Sequence, residues 1–583
     1  MVKLLKVFKK KEFIFLLLVI LFISFGVWLD LKIPDYMSSI TKLVQTEGTK
    51  ITEVLKEGSK MIICAFGSLV SMVVVGYMTS YLSATFSKRT RKKLFEKVQD
   101  FSMSEIKKFR TSSLITRTTN DITNIQMFIS MGLQMLIKAP ITAVWAIFKI
   151  SGKNYEWSYA TLIAVVFLLL IIIILMKTVL PKFKIMQKLI DNLNERTREN
   201  LNGIRVVRAF NAEKYQENKF EDANIKLTNT QEFTQKMMSI MSPSMYLTMN
   251  MLTLSIYVIG AFLLNKATMY DRLNIFSDMV VFSSYAMQVK MSFLMLAVIF
   301  VMYPRASVSV KRVNEVIDTN LSILDGTFDD DTKVKGEIEF KNVSFKYPDA
   351  DEYVLKNISF KIDKGKTLAV IGSTGSGKST IVNLIMRFYD VTEGEILIDG
   401  INIKEYKLEE LHKKIGYVPQ KAVIFDETVN YNISYGNDKI SNSDIKKAAK
   451  IAQASEFIDK MKNKYESNVS SGGTNISGGQ KQRLAIARAI AKSPEIFVFD
   501  DSFSALDYKT DYVLRKELKK ETKNATNIII AQRIGTIINA DTIVVLDNGK
   551  SVGIGNHKSL MKNCKVYKEI AYSQLSKEEL ENE

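Results

Sequence analysis

Gly372-Ser373-Thr374-Gly375-Ser376-Gly377-Lys378-Ser379 decides the fold of the second half of this chain. An apolar run, Leu368-Ala369-Val370-Ile371, precedes it, and Thr380–Phe388 follows with the pattern of a helix. Strand, glycine-rich turn and helix in that order form a P-loop. Its glycines let successive backbone N–H groups face a phosphate, and the helix N-terminus adds partial positive charge. A lysine at the place of Lys378 reaches the β- and γ-phosphates of a nucleotide, and the hydroxyl of Ser379 is placed for Mg²⁺. A second apolar run, Ile496–Phe499, ends in Asp500, where a Walker-B carboxylate holds the metal's hydration shell. From Gly336 onward short β-rich runs (Glu337–Phe345, Thr367–Gly372, Ile496–Phe499) alternate with helices, as in a nucleotide-binding α/β domain.

The sequence upstream is of another kind. Six apolar blocks lie near Phe13–Leu31, Met61–Phe86, Phe128–Ile150, Trp157–Leu180, Met245–Leu264 and Val280–Met302. A membrane span takes about 20 such residues. The expected fold is therefore an α-helical six-span transmembrane domain, followed by an α/β P-loop ATPase domain. The expected limits are 1–320 for the spans and their cytoplasmic loops, 321–335 for a polar linker and 336–583 for the nucleotide-binding domain. The first block is longer than the apolar core of a signal peptide and no small-residue cleavage site follows, so it reads as a span.

The net charge is +19, from 80 Lys and Arg against 61 Asp and Glu. Basic residues cluster beside the apolar blocks, as in Lys9-Lys10-Lys11, Lys88-Arg89 and Arg91-Lys92-Lys93. That is the signature of cytoplasmic flanks under the positive-inside rule, rather than of a nucleic-acid surface. It places the N-terminus and the long charged stretches Ser87–Met127 and Pro181–Met241 on the cytoplasmic side. Within the latter, Asn192–Phe220 carries apolar residues at helical spacing. Two cysteines, Cys64 and Cys564, give neither a disulfide framework nor a metal-binding spacing.

Ser477-Gly478-Gly479-Gln480, preceded by Ile476 and followed by Lys481-Gln482-Arg483, resembles the ABC signature motif. With the P-loop and Asp500 it identifies the chain as a member of the ABC transporters. The six spans resemble the exporter branch, in which membrane and nucleotide-binding domains are fused. The resemblance implies ATP and Mg²⁺ as cofactors, with Thr380 completing the P-loop. It implies Tyr347 as the aromatic that stacks on adenine. Gln420 would be the Q-loop residue linking Mg²⁺ to the membrane domain, and Asp507 part of the D-loop, Ser504–Asp507. Leu201–Phe210 and Lys108–Asp121 resemble the two cytoplasmic coupling regions. In this family the signature turn serves the ATP held by the opposite domain, so Ser477, Gly478, Gly479 and Gln480 would act on a partner's nucleotide.

Two positions depart from the family pattern. The residue after the Walker-B aspartate is normally Glu, which orients the attacking water; here it is Asp501. Its carboxylate reaches about an ångström less far, and displacements of that size cost on the order of 10²-fold in rate. The switch strand normally ends in His, whereas here Asn527–Ala531 ends in Gln532, an amide that hydrogen-bonds but carries no charge. The segment Ser470–Asn475 also lacks the family's usual acidic residue. Together these resemble the degenerate half of a bacterial heterodimeric multidrug exporter. The expected partners are a second, non-identical half-transporter, the lipid bilayer and an amphipathic small-molecule substrate, with no nucleic acid. The expected location is the cell membrane, with the nucleotide-binding domain in the cytoplasm. A homodimeric lipid or peptide exporter with slow ATPase, and an ATP-gated regulatory protein that does not pump, remain the alternatives.

Inside the sixth block lies Lys290. A charge at the bilayer centre costs roughly 2.5–3.5 kcal/mol on insertion scales. Lys290 either faces a wet translocation path or pairs and snorkels at the bundle interface, and the sequence leaves both open. The methionines of Met237–Met251 and Met287–Met302 suit either an adaptable apolar cavity or a helix interface.

Overall fold

The computed structural model describes residues 10–46, 48–151, 155–329, 332, 335–437 and 439–575. Lys9, parts of the expected linker (330, 331, 333 and 334) and the final residues 576–583 lie outside the described set. The chain divides into two compact units. Residues 1–99 and 111–319 form the first; residues 100–110 and 320–583 form the second.

Six helices of the first unit are long and apolar enough to cross a membrane: α1 (Lys10–Gln45), α2 (Ile51–Gln99), α4 (Thr111–Ile150), α5 (Tyr155–Asn202), α6 (Glu213–Lys266) and α7 (Asp271–Ile317). The short α3 (Met103–Phe109) belongs to the second unit. Each apolar block falls inside one of the six. All but α1 run 40 residues or more, about twice what the hydrocarbon layer requires. Their surfaces stay apolar: Ile62, Ile63 and Phe66 are each about two-thirds exposed or more. Water would penalise that face, whereas lipid does not, and a helix satisfies its own backbone groups there.

Inside the bundle, Val19, Ile23, Val27, Leu82, Trp157, Ile256, Phe282 and Tyr285 form a buried core. Trp157 donates its indole N–H to the Ile256 carbonyl at 3.0 Å. Gly67 lets α2 approach α1 closely, since a Cβ there would lie 2.9 Å from Leu29 Cδ1. The two aspartates of α1 are paired within the bundle. Asp35 contacts Lys149 at 2.7 Å and accepts from the Tyr285 hydroxyl at 2.7 Å. Asp30 lies 3.5 Å from Lys138 and accepts from Ser68 at 2.5 Å. At the cytoplasmic end Arg117 binds Glu315 at 3.0 Å, and Asp121 accepts from Ser309 at 2.8 Å. Two π-helical turns, Arg117–Asp121 and Phe128–Gly132, interrupt α4 here.

The described residues of the second unit form three sheets. β1 (Ile338–Phe345), β2 (Leu355–Ile362), β4 (Glu393–Ile398) and β5 (Ile401–Asn402) make an antiparallel sheet ordered β2-β1-β4-β5. β3 (Thr367–Gly372), β6 (Ile415–Val418), β9 (Ile496–Asp500), β10 (Thr526–Ile530), β11 (Thr542–Asp547) and β12 (Lys550–Gly555) make the central sheet, ordered β12-β11-β3-β10-β9-β6. β7 (Glu427–Thr428) and β8 (Asn468–Val469) pair alone. From β11 to β6 the central strands are parallel. Helices cover both faces, so β9 is buried at every residue and reads as an unbroken apolar run. Register sets the functional edge: Ile530 pairs with both Val370 and Asp500, and Val418 with Phe499. The carboxyl ends of β3, β6, β9 and β10 therefore lie level.

Residues before β1 are tied into this unit. Gly326 and Phe328 donate backbone N–H groups to Tyr406 and Glu405, and Arg387 donates to the Leu324 carbonyl. Asp399 accepts from the Gly336 and Glu337 N–H groups and from Lys414 at 2.9 Å, and Lys414 also binds Glu495 at 2.9 Å. Lys414 and Asp399 are buried. Replacing Lys414 by methionine leaves these carboxylates without their cation. It is expected to destabilise the second unit by about 3 kcal/mol. Thermal unfolding of the purified chain checks this; an unshifted transition would mean that the cluster does not hold the unit together.

Candidate functional site

The P-loop leaves β3 and enters α8 (Lys378–Ile385). Its shape depends on glycine at two positions with positive φ, Gly375 at 86° and Gly377 at 99°. Gly377 caps α8 without a side chain, so the first N–H groups of the helix stay open toward the loop. The Lys378 ammonium folds over the loop and donates to the Gly372 and Ser373 carbonyls at 2.9 and 2.7 Å. Ser376 Oγ is buried and has no partner among the described residues. A loop with open N–H groups, an orphaned hydroxyl and a poised ammonium fits a polyphosphate.

Asp500 ends β9, and its Oδ1 accepts from Ser379 Oγ at 3.4 Å. Burial pushes the Asp500 carboxyl above the usual aspartate range, against the pull of Ser379 and Lys378. Burial likewise draws the Lys378 ammonium below the usual lysine range, opposed by Asp501 and Asp500. Each charge sits where desolvation works against it, and each would be offset by a ligand of opposite sign: phosphate for Lys378, a divalent cation for Asp500. A hydroxyl and one carboxylate fit Mg²⁺, which takes few protein ligands and completes its shell with water and phosphate oxygen. No cluster of three or more His, Cys, Asp or Glu exists among the described residues to hold a metal by protein alone.

Asp501 follows directly, at φ 46°. Its Oδ2 accepts two amide N–H groups, from Gln420 Nε2 and from Gln532 Nε2, each at 3.1 Å. Gln420 comes from the loop after β6 and Gln532 from the loop after β10, so the level strand ends bring the three together. The Gln420 amide thus lies on Asp501; none of its hydrogen bonds goes to Ser379 or Asp500, the other two residues read as metal ligands. Gln532 is itself positioned by Gln574, which donates to the Gln532 carbonyl at 2.7 Å and accepts from the Ile534 N–H at 2.8 Å. Nothing in the local sequence around Gln574 marks it, because its role depends on a C-terminal helix packing back.

Tyr347 is half-buried near α8, its hydroxyl 3.1 Å from Thr380 Oγ1. Phe345 and Tyr389 meet its ring edge-to-face at 5.0 and 5.2 Å. Lys107 of α3, which clusters with this unit, places its ammonium 5.8 Å from the ring centre. No motif marks Tyr389 or Lys107 in the sequence; only Tyr389, an aromatic just past the P-loop helix, carries a local signal.

Ser477 caps α10 (Gly478–Ala491; α9 is Asn442–Ile451) in a reciprocal capping box with Gln480. The hydrogen bonds of Ser477 and Gln480 stay within this turn and its helix. Ser477 and Gly478 are exposed, and a Cβ on Gly478 would meet nothing within 4 Å. The turn is an exposed helix N-terminus, the kind of place where backbone N–H groups can meet an anion. Asp507 is the N-cap of α11 (Tyr508–Glu521), accepting from the Thr510 N–H at 2.9 Å. That hydrogen bond holds its carboxyl below the usual aspartate range.

Residues 16–293 match the family profile described as ABC transporter transmembrane region, and residues 355–504 the one described as ABC transporter. The chain is 37% identical over 520 residues to an uncharacterised ABC transporter ATP-binding protein of Mycobacterium tuberculosis, covering 88% of this chain and 87% of the relative. It is 34% identical to the uncharacterised ABC transporter ATP-binding protein YfiB of Bacillus subtilis, covering 89% and 90%. It is 31% identical to an ATP-dependent lipid A-core flippase of Haemophilus influenzae, covering 85% and 84%. A solved structure described as a bacterial Atm1-family ABC exporter with ATP bound has the same fold, with a TM-score of 0.81 at 25% identity over 95% of this chain and 96% of that one.

Losing one base–aromatic stack costs about 1–3 kcal/mol. Tyr347→Ala is therefore expected to weaken Mg-ATP binding to the full chain roughly tenfold, while Tyr347→Trp keeps it. Titration with a fluorescent ATP analogue reads the difference, and equal affinities for all three would place the base elsewhere.

Proposed function

The chain belongs to the ABC transporters, exporter type with fused membrane and ATP-binding domains, and from that premise we propose that it is one half of a heterodimer that exports amphipathic substrates. It is a multi-pass membrane protein with a cytoplasmic nucleotide-binding domain, and ATP hydrolysis coupled to transport is the activity of its family. The proposal adds that its own ATP site hydrolyses poorly, while its signature turn completes an active site on a non-identical partner. The substrate is drug-like, lipid or otherwise amphipathic; similarity to a relative named as a lipid flippase supports that class.

One observation carries this reading. The carboxylate in the position that orients the attacking water, Asp501, has Oδ2 bound by two amides, Gln420 and Gln532. Two N–H bonds fill the lone-pair sites of that oxygen, so an attacking water meets it only by displacing an amide. Neither amide exchanges its proton, so no imidazole is available to follow charge on the phosphate. Meanwhile Lys378, the open N–H groups of the loop and the pair Ser379 and Asp500 keep everything needed to bind. When bound, Mg²⁺ supplies charge neutralisation on the phosphates. Around it Lys378 would hold the phosphate oxygens, Asp500 and Ser379 would orient the hydration shell, and Tyr347 would position the base. Binding is preserved and proton abstraction weakened, the balance expected of a site that clamps two domains together. Ser477, Gly478 and Gly479 retain an unblocked anion-binding turn for the partner's nucleotide.

The purified chain alone is expected to show very low Mg-ATPase activity. The double variant Asp501→Glu, Gln532→His is expected to raise it about tenfold or more, since recovering an ångström of reach is worth up to 10²-fold. Robust activity in the unmodified chain would sink the degenerate-site reading and favour a homodimeric pump.

A further inference from the structure

Lys290 is placed deep in the spans. Trp157, in the first turns of α5 on the outer side, packs on Ile256 of α6 and Phe282 of α7. Lys290 lies about two turns further along α7, ~12 Å toward the cytoplasm. That is near mid-depth of a hydrocarbon layer about 30 Å thick.

The acidic groups at this level are already engaged. Asp30 and Asp35 of α1 are held by Lys138 and Lys149 of α4. Gln288 faces that side, donating to the Asp30 carbonyl at 3.3 Å. Two residues on, Lys290 points roughly the opposite way round the helix, and its ammonium stands 4.4 Å from the ring centre of Tyr246 on α6. No carboxylate pairs with Lys290 among the described residues. Tyr246, Met287 and Met291 around it are exposed at 60%, 55% and 43%.

An ammonium at mid-membrane needs compensation, and one aromatic face supplies only part of it. We propose that Lys290 is the charge-reading element of the substrate path, and that the transported amphiphile carries a negative headgroup. Its phosphate or carboxylate pairs with the Lys290 ammonium. Its apolar body lies against Met287, Met291 and the Tyr246 ring, surfaces able to adapt to varied shapes. A cationic amphiphile is disfavoured by like charge at the same point. This inference rests on the exporter reading for its setting, but concerns binding, which needs no hydrolysis.

The test uses the full chain in neutral detergent, titrated calorimetrically with dioctanoyl phosphatidylglycerol, dioctanoyl phosphatidylcholine and free glycerol phosphate. Lys290→Met is the central variant, because removing a mid-membrane charge favours insertion. Lys290→Arg keeps the charge, and Lys93→Gln removes an exposed lysine near the cytoplasmic end of α2. The expected result is phosphatidylglycerol bound roughly tenfold tighter than phosphatidylcholine, the worth of one charge-assisted hydrogen bond. That preference should vanish in Lys290→Met and persist in Lys290→Arg and Lys93→Gln. Equal binding of the two lipids overturns the proposal, as does an undiminished preference in Lys290→Met. A loss in Lys93→Gln as large as in Lys290→Met also overturns it, by pointing to general attraction at the cytoplasmic interface. Glycerol phosphate binding as tightly as the lipid overturns the amphiphile assignment. Headgroup selectivity with no ATP-driven transport in proteoliposomes of the assembled transporter would instead sink the exporter reading and leave the anion site standing.

Discussion

The register of four parallel strands is the constraint on which the ATP-binding unit depends. β3, β10, β9 and β6 end level because Ile530 pairs with both Val370 and Asp500, and Val418 with Phe499. Each strand is fixed by burial on both faces, so the residue that follows each one is delivered to a single edge. Parallel sheets place ligands outside their carboxyl ends for this reason. A one-residue slip of β9 would turn Asp500 away from Ser379 and exchange the buried and functional faces along the whole strand. The apolar runs around Leu368, Ile496 and Ile528 thus determine the geometry of the polar residues they precede.

That edge holds two separable functions. Lys378 and Asp500 are buried, and their charges are poised for a ligand of opposite sign. Asp501 is differently placed. Its φ of 46° bends the chain out of the strand, and its side chain meets amides arriving from two other loops. Asp501 and Gln532, the two positions that depart from the family pattern, thus meet in one hydrogen bond. Gln532 meets Asp501 as an amide donor, a role that His in its neutral form shares but without fixed polarity.

The sequence was legible where local pattern and chemistry coincide. The P-loop could be read because strand, glycines and helix are contiguous, and each apolar block falls within a long helix because lipid demands an unbroken apolar run. What was not legible depends on distant segments meeting. No local signal tells that Gln420 and Gln532 converge on one oxygen of Asp501, or that Gln574 steadies Gln532. The stretch 321–335 reads as polar linker, and within it Gly326 and Phe328 hydrogen-bond along residues 405–406, partners that a polar side-chain pattern does not reveal. Gln480 and Asp507 read as nucleotide contacts by motif, while their side chains cap helices. A polar residue at a helix start serves the backbone first, since the uncapped N–H groups are always there to be met.

The membrane unit obeys the same logic at lower dielectric. Charges can persist among spans only when held, and here they are held in two ways. Asp30 and Asp35 are closed off by lysines, by Ser68 and by the Tyr285 hydroxyl, ties that join α1 to α2, α4 and α7. Such pairs contribute orientation more than stability, because desolvation consumes much of their attraction. Among the described residues Lys290 is held by the face of Tyr246 alone, a contact that leaves most of its hydrogen-bonding capacity unused. A closed pair has nothing left to give a ligand, while an ammonium resting on a ring can exchange part of that contact for an anion. The difference between these two arrangements separates charges that build the bundle from a charge able to read what passes through it.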